Sequence, residues 1–299
     1  MKVERDFPLV RLTTLRAGGE AELFARPASE AELVELLAWA TDDGHPVEVV
    51  GSGSNLLIAD AGVRGLVLKL DGELTASERI GVRVIGGGGA RLPSLAAQVA
   101  RWGLAGLEFG INIPGTVGGA VRMNANAYGG ELGRVLESVR VCTASGATER
   151  PPVALGFAYR SSNLGPGEVV SRATFHLREG DPEQIKATMG GMRNRRREAQ
   201  PSGIKTFGST FVNPDPAQSD GRTAGQLLEG AGCRGLQVGG ARLSAKHANF
   251  VENTGDATTA DVLALMAEAR RRVHEKFGIV LEPEVQVLGE VQWPEGWEL

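Results

Sequence analysis

The sequence is short of the residues that build several familiar kinds of protein. Its two cysteines, Cys142 and Cys233, are too few for a disulfide framework and lack the CxxC spacing of a metal or redox site. The four histidines (His45, His176, His247, His274) stand far apart with no zinc-ligand spacing, so no metal centre is expected. Aromatic residues make up 5% of the chain, and 32 Lys+Arg against 36 Asp+Glu leave a net charge of −4. A nucleic-acid-binding module needs a basic surface and stacking aromatics, so none is expected. No apolar run approaches the ~18 residues of a membrane span, and the charged start Met1–Asp6 does not read as a signal peptide. A cytoplasmic location without membrane insertion is the resulting expectation. Neither HExxH nor GxxxxGK[ST] occurs.

Glycine, by contrast, is abundant: 42 residues in 299, about twice the usual ~7%. The chain is otherwise ordinary, 42% hydrophobic and 23% charged, and its length predicts two or three domains at ~100–200 residues each. Ser29-Glu30-Ala31-Glu32 reads as a capping box opening a helix through Leu33, Leu36, Leu37 and Ala40, stopped by Gly44. Strands are predicted at 46–50, 66–70, 139–142, 169–177, near 250–251 and at 285–291, with helices at 94–102 and 260–277. The Arg-rich stretch 192–202 reads as a boundary, and its run Arg193–Arg197 as a solvated helix face rather than a ligand-binding edge. Helix, strand, glycine turn and strand in succession indicate an α+β or α/β organisation.

The glycines gather in loops. In Gly51-Ser52-Gly53-Ser54-Asn55-Leu56, small residues after a strand can present backbone N–H groups as a nest for a pyrophosphate. A Rossmann fingerprint would need glycine where Leu56 stands. Alone, this loop is read as easily as a plain connection. A second loop, Gly110–Ala120, contains Asn112, Pro114, Gly115, Thr116, Gly118 and Gly119, and leads into the small, polar stretch Met123–Gly130 with Asn124. Two such loops together point to a large dinucleotide.

At this point the motifs form an ordered set: Thr13–Gly19, Gly51–Leu57, Ile113–Ala120, Phe157-Ala158-Tyr159-Arg160, Gly208-Ser209-Thr210-Phe211, Asn213-Pro214, Gly239-Gly240-Ala241, His247-Ala248-Asn249-Phe250 and Leu281-Glu282-Pro283-Glu284-Val285. In that order they resemble the UDP-N-acetylenolpyruvoylglucosamine reductase family. The resemblance implies an α+β protein: a two-lobed FAD-binding fold (vanillyl-alcohol-oxidase/PCMH-like) plus a C-terminal α+β substrate-binding domain. The lobes would be 1–70 and 71–195, the substrate domain 196–279, with the segment 280–299 open to a return to the first lobe. It further implies FAD held by Gly51, Ser52, Gly53, Ser54, Asn55, Leu56, Asn112, Pro114, Gly115, Thr116, Gly118, Gly119, Ala120 and Asn124, with NADPH as co-substrate. Related oxidases often carry a His or Cys near these loops that bonds to the flavin; Ser54 and Asn55 stand here, so non-covalent FAD is expected.

The implied reaction reduces UDP-N-acetylglucosamine enolpyruvate to UDP-N-acetylmuramate for peptidoglycan. By resemblance Arg160 meets the substrate carboxylate, Glu284 stands beside it and Ser209 donates the proton, while Tyr159, Asn213 and His247 touch the UDP-sugar. Singly, each has a structural reading: a salt-bridge arginine, a strand-edge carboxylate, a turn serine, a packed histidine. The resemblance carries the roles. Val212 replaces the lysine the family often has before Asn-Pro, leaving Lys205 or an arginine of the third lobe to meet phosphate. The 48 residues between Arg160 and Ser209 hold no tyrosine, so the chain matches the shorter form without the capping-tyrosine insertion. The competing reading is an FAD-dependent oxidase of the same fold acting on another alcohol or sugar. A monomer or weak homo-oligomer is expected, and the tail Trp293–Trp297 has no role legible in sequence.

Overall fold

The computed structural model describes residues 2–295 and 297; Met1, Gly296, Glu298 and Leu299, and with them part of the 280–299 segment and of the tryptophan tail, lie outside the described residues. Strands and helices are mixed throughout, and the chain divides into two compact units. The first takes the N-terminal residues to Asp6, Glu22–Ser52 and Arg64–Arg196; the second takes Phe7–Ala21, Gly53–Val63 and everything from Arg197 onward.

The first unit contains two sheets. One runs in the order Val3–Pro8, Glu20–Ala25, Val63–Leu68, Val47–Val49. Its last two strands are parallel, with Val47 opposite Leu66 and Val49 opposite Leu68. Parallel neighbours need a long crossover, and residues 50–62 supply it, which is why the first glycine loop leaves the end of a strand. The helix Glu30–Asp42 buries Leu33, Leu36, Leu37 and Ala40 against Leu66 and Leu68. Ser29 caps it by accepting the Glu32 N–H at 3.2 Å, while the Glu32 carboxylate reaches past the cap to the Ala28 N–H at 2.8 Å.

The second sheet is antiparallel, in the order Gly146–Arg150, Leu136–Thr143, Val169–His176, Arg83–Gly87, Ser77–Ile80. Val84, Val139, Val141, Ala173 and Phe175 form its core with Leu92, Leu95 and Val99 of the helix Leu92–Arg101. A Cβ at Gly88, just past the strand Arg83–Gly87, would stand 1.9 Å from the Val170 carbonyl oxygen. Only glycine lets the chain pass that close, and the passage carries it beneath the second loop.

The stretch 192–202 contains the junction between the two units, at Arg196 and Arg197, and it belongs to a helix whose extent the sequence reading did not give. It is helical to Ala199, within the helix Pro182–Ala199, and Ile185, Met189 and Met192 anchor it in the core at helical spacing. Gly190-Gly191 inside it weakens helix propensity and hides the pattern.

The second unit has a three-stranded antiparallel sheet, Gln237–Val238, Ala241–Leu243, Val251–Asn253, and a parallel pair in which Gln286–Leu288 lies beside Leu56–Ile58. Its long helix is Thr259–Phe277, opened by a Thr258/Asp261 capping box and closed by Gly278 at φ +67°. Val262, Leu263, Leu265, Met266, Ala269 and Val273 bury against Leu227, Leu228, Phe211 and Leu281. Among the described residues no helix is long and apolar enough to cross a membrane.

Candidate active site

In the first unit the two glycine loops meet. A Cβ at Gly51 would fall 2.5 Å from Thr116 Oγ1, so the absence of a side chain at 51 sets the separation of the loops. Thr116 is itself committed: its hydroxyl accepts the Gly119 N–H at 3.3 Å and caps the short helix Val117–Arg122. The two loops border a cleft of about 570 Å³, open mouth included, walled also by Val49, Lys69, Gly88, Arg122 and Glu168. Lys69 Nζ donates to the Gly51 carbonyl at 2.6 Å, and burial, then the neighbouring Arg26 charge, lower its pKa. The Glu168 carboxylate, hydrogen-bonded by Arg150 and by the Gly165 N–H, is held below the ordinary carboxylate range, chiefly by that arginine. The sequence reading missed Lys69, Arg122 and Glu168; each is a single charge at the end of an apolar run or helix, with no motif around it.

Three observations test the cleft and its loops against a dinucleotide. Among the described residues, the main-chain N–H groups of Gly51, Ser52, Gly53, Ser54 and Asn55 donate to no protein acceptor, leaving them for an anion. Asn112 is 8% exposed, its Nδ2 has no partner among the described residues, and its carbonyl accepts from Arg196. At Gly115 a Cβ would meet nothing within 4 Å, so the fold does not demand glycine there and the space is left for something else. These features fit a phosphate-bearing cofactor. Pro114 is exposed and Gly118 half-buried, its N–H engaged by Gly88 O at 2.8 Å; Ala120 turns into the core at 4% exposure. Asn124 is 1% exposed, and both donors of its amide are taken by protein acceptors, so it has none left for a cofactor. The run 193–197 is not uniformly solvated: Arg196 is half-buried against Asn112, and Arg195 lies over the Tyr128 ring at 5.2 Å. Burial lowers the Arg196 pKa.

Arg160 also belongs to this unit. It sits at φ +55° in a two-residue turn closed by reciprocal Ala158–Ser161 backbone bonds of 3.1 and 3.2 Å. Its Nη1 donates to Asn126 O at 3.3 Å, and its guanidinium lies 5.4 Å from the ring centre of Tyr159, which is 51% exposed.

The second unit gathers another set. Ser209 pairs with Phe250 and Phe211 with Pro283, and the Glu284 N–H donates to Thr210 O at 2.8 Å. Ser209 is thus one residue from the backbone partner of Glu284, and both are half-buried. The carbonyl of Glu284 accepts Asn55 Nδ2 at 3.0 Å, and the Gln286 N–H returns to Asn55 O at 3.0 Å. Gly208 also stands near this loop, since a Cβ there would lie 3.6 Å from Ser54 O. Residues 54–55, Ser209 and Glu284, far apart in sequence, are therefore neighbours. Thr210 between them is fully buried, and its hydroxyl has no partner among the described residues.

The remaining candidates are more engaged in structure. Asn213 is exposed, but its Oδ1 accepts the Ala224 N–H at 3.0 Å at the start of the helix Ala224–Gly230. The half-buried His247 ring packs edge-on to Phe250 at 4.9 Å, its Nδ1 accepts the Asn249 N–H at 3.3 Å, and burial lowers its pKa. Lys205 is exposed. Among the described residues no group of His, Cys, Asp and Glu could hold a metal ion.

A family profile described as an FAD binding domain matches residues 21–150, and one described as the UDP-N-acetylenolpyruvoylglucosamine reductase C-terminal domain matches residues 200–288. The chain is 46% identical over 286 residues to the UDP-N-acetylenolpyruvoylglucosamine reductase of Anaeromyxobacter dehalogenans, covering 96% of this chain and 85% of that one. It is 44% identical over 294 residues to UDP-N-acetylenolpyruvoylglucosamine reductase 2 of Symbiobacterium thermophilum, covering 98% and 94%. The crystal structure of the Thermus caldophilus enzyme of the same name superposes with a TM-score of 0.84 at 38% identity, covering 97% of this chain and 100% of that one. With an FAD-binding fold of two domains and such identity over nearly its whole length, the chain belongs to the UDP-N-acetylenolpyruvoylglucosamine reductase family, FAD- and NADPH-dependent oxidoreductases of peptidoglycan synthesis.

Proposed function

We propose that the chain reduces the enolpyruvyl ether of UDP-N-acetylglucosamine enolpyruvate to the lactyl ether of UDP-N-acetylmuramate, with Arg160, Ser209 and Glu284 as its catalytic residues. FAD, when bound, would supply the redox chemistry, carrying hydride equivalents from NADPH to the terminal vinyl carbon. Addition there drives negative charge into the carboxylate of the enolpyruvyl group. Arg160 meets that carboxylate with a planar two-pronged donor, the arrangement that strengthens as charge accumulates. Glu284 keeps its proton when a second carboxylate lies close, because two such charges do not both ionise cheaply, and it then donates to the developing anion. Ser209 delivers a proton to the carbon bearing the carboxylate; a serine hydroxyl is a weak acid, but that carbon is a far stronger base.

The observation that supports these roles is the 2.8 Å bond from the Glu284 N–H to Thr210 O, which brings the segments carrying the two proposed proton-handling residues side by side. Gly51–Asn55 would hold the pyrophosphate, with Leu56, Asn112, Pro114, Gly115, Thr116, Gly118 and Gly119 along the cofactor and Ala120 beneath them. Tyr159, Asn213 and His247 would face the UDP-sugar. The division into lobes 1–70 and 71–195 and a substrate domain 196–279 belongs to the same reading; the separate cores behind the two sheets of the first unit support it. A cytoplasmic location, a monomer or weak homo-oligomer, and the absence of a nucleic-acid partner are also part of this reading. An oxidase of another alcohol or sugar is not favoured, since the relatives carry the reductase name over nearly the full chain.

The test is an anaerobic titration of the purified holoenzyme. Flavin absorbance should bleach with NADPH and return when UDP-N-acetylglucosamine enolpyruvate is added. Bleaching without recovery would reject the substrate while retaining the flavin.

A further inference from the structure

Three residues other than glycine near Arg160 have positive φ: Asn124 at +38°, Tyr128 at +51° and Arg160 itself at +55°. Such residues are strained unless their surroundings over-determine them. For Arg160 the surroundings lead back to one side chain. Asn124 Nδ2 donates to Ala158 O at 3.1 Å and to Glu131 Oε1 at 2.7 Å, and its Oδ1 accepts the Gly133 N–H at 3.2 Å. Ala158 O is the same carbonyl that closes the Arg160 turn by accepting the Ser161 N–H. A further hold on Arg160, its bond to Asn126 O, ends on a short hairpin in which Asn126 is paired with Glu131. Both the backbone and the guanidinium of Arg160 are therefore tied to the segment that the Asn124 amide joins together.

We infer that Asn124 is a positioning residue for Arg160, fixing the left-handed turn and through it the direction of the guanidinium. This rests on the proposed role of Arg160. Asparagine suits the post because it tolerates the left-handed region and carries two donors and an acceptor on one short side chain. Displacing a charge-stabilising group by about 1 Å is enough to lower a rate ~100-fold. The loss falls on the step in which charge develops on the substrate carboxylate.

The test separates the half-reactions by anaerobic stopped-flow in the holoenzyme. Asn124→Gly keeps the backbone conformation and removes the amide. Flavin reoxidation by the enolpyruvyl substrate should slow at least ~10-fold, and more than flavin reduction by NADPH does. In an Arg160→Ala background the same substitution should have no further effect, because residues acting as a unit are not additive. A second variant, Asn124→Asp with Glu131→Gln, restores the bond between positions 124 and 131 with reversed polarity but turns an oxygen toward Ala158 O. Its thermal midpoint should recover while its reoxidation rate should not, and it carries the same cycle if Asn124→Gly does not fold. Wild-type reoxidation in Arg160→Ala would refute the role of Arg160 itself. A slow Arg160→Ala enzyme with an undiminished or absent Asn124→Gly effect, or full rescue of rate in the paired variant, would overturn the positioning role alone.

Discussion

The two glycines at the cleft, Gly51 and Gly115, make opposite structural demands, and comparing their alanine variants isolates what the cofactor requires. At Gly51 a Cβ would lie 2.5 Å from Thr116 Oγ1 and 3.2 Å from its Cγ2. Rotating the threonine away gives up the cap on Gly119, worth ~0.5–2 kcal/mol. Parting the loops instead carries the usual ~1–3 kcal/mol of overpacking. Either route lowers the midpoint of the cofactor-free protein, by about 1–12 °C across the two, at ~2–4 °C per kcal/mol for a chain region of this size. It also weakens FAD binding ~10-fold or more, since each 1.4 kcal/mol is about one decade. At Gly115 the added methyl meets no protein atom within 4 Å. Gly115→Ala should leave the cofactor-free midpoint within about 1 °C of wild type, the small effect of a surface substitution, yet reduce FAD affinity because the methyl enters the space the ligand needs. The assay is differential scanning fluorimetry of apoprotein alongside quenching of flavin fluorescence on titration. Wild-type FAD affinity in Gly115→Ala would show that this space is not the cofactor's. Wild-type stability and affinity in Gly51→Ala would show that the close approach of the loops is not a constraint.

Other expectations are more compact. Ser209→Ala should leave flavin reduction by NADPH within a few-fold of wild type but slow reoxidation by ~10²–10⁴-fold, the range for losing a positioned proton donor; equal losses in both halves would point to misfolding. Cys142 and Cys233 are buried, and burial raises both thiols, Cys233 to about 11, so neither should react with a disulfide reagent at neutral pH until the protein is unfolded. Glu268 on the long helix is hydrogen-bonded to Arg271 and Arg272, which hold it at about 2 in place of 4.5. A depressed carboxylate stabilises the fold above the unfolded value and loses that contribution as pH falls toward the folded one. Glu268→Gln should therefore be less stable at pH 7 by only about 0.5–1 kcal/mol, because the arginines are partly exposed. The gap, read from urea midpoints, should narrow between pH 4.5 and 2; a gap unchanged down to pH 3 would contradict it.

What the chain could reveal by itself was periodic or local. The helices Glu30–Asp42 and Thr259–Phe277 follow from their caps, their apolar faces and the glycines at or just beyond their ends, all carried by neighbouring residues. The glycine loops pointed to a dinucleotide, because backbone approach to a phosphate leaves a compositional trace, while FAD and the family came from the resemblance carried by the ordered motifs. The helix Pro182–Ala199 escaped because its anchors, Ile185, Met189 and Met192, are interrupted by Gly190-Gly191 and masked by arginines. Residue roles at the site were a matter of resemblance alone, since nothing in the spacing of Ser209 and Glu284 says that their segments are adjacent. Tertiary structure decided that, through a backbone bond between residues 74 positions apart and an Asn55 side chain reaching Glu284 across 229. It likewise placed Lys69 under Gly51 and turned Asn124 from a loop residue into the tie on Arg160. Sequence determines which groups are available and which segments repeat; long-range hydrogen bonds and close approaches, which leave no local pattern, determine which of those groups meet.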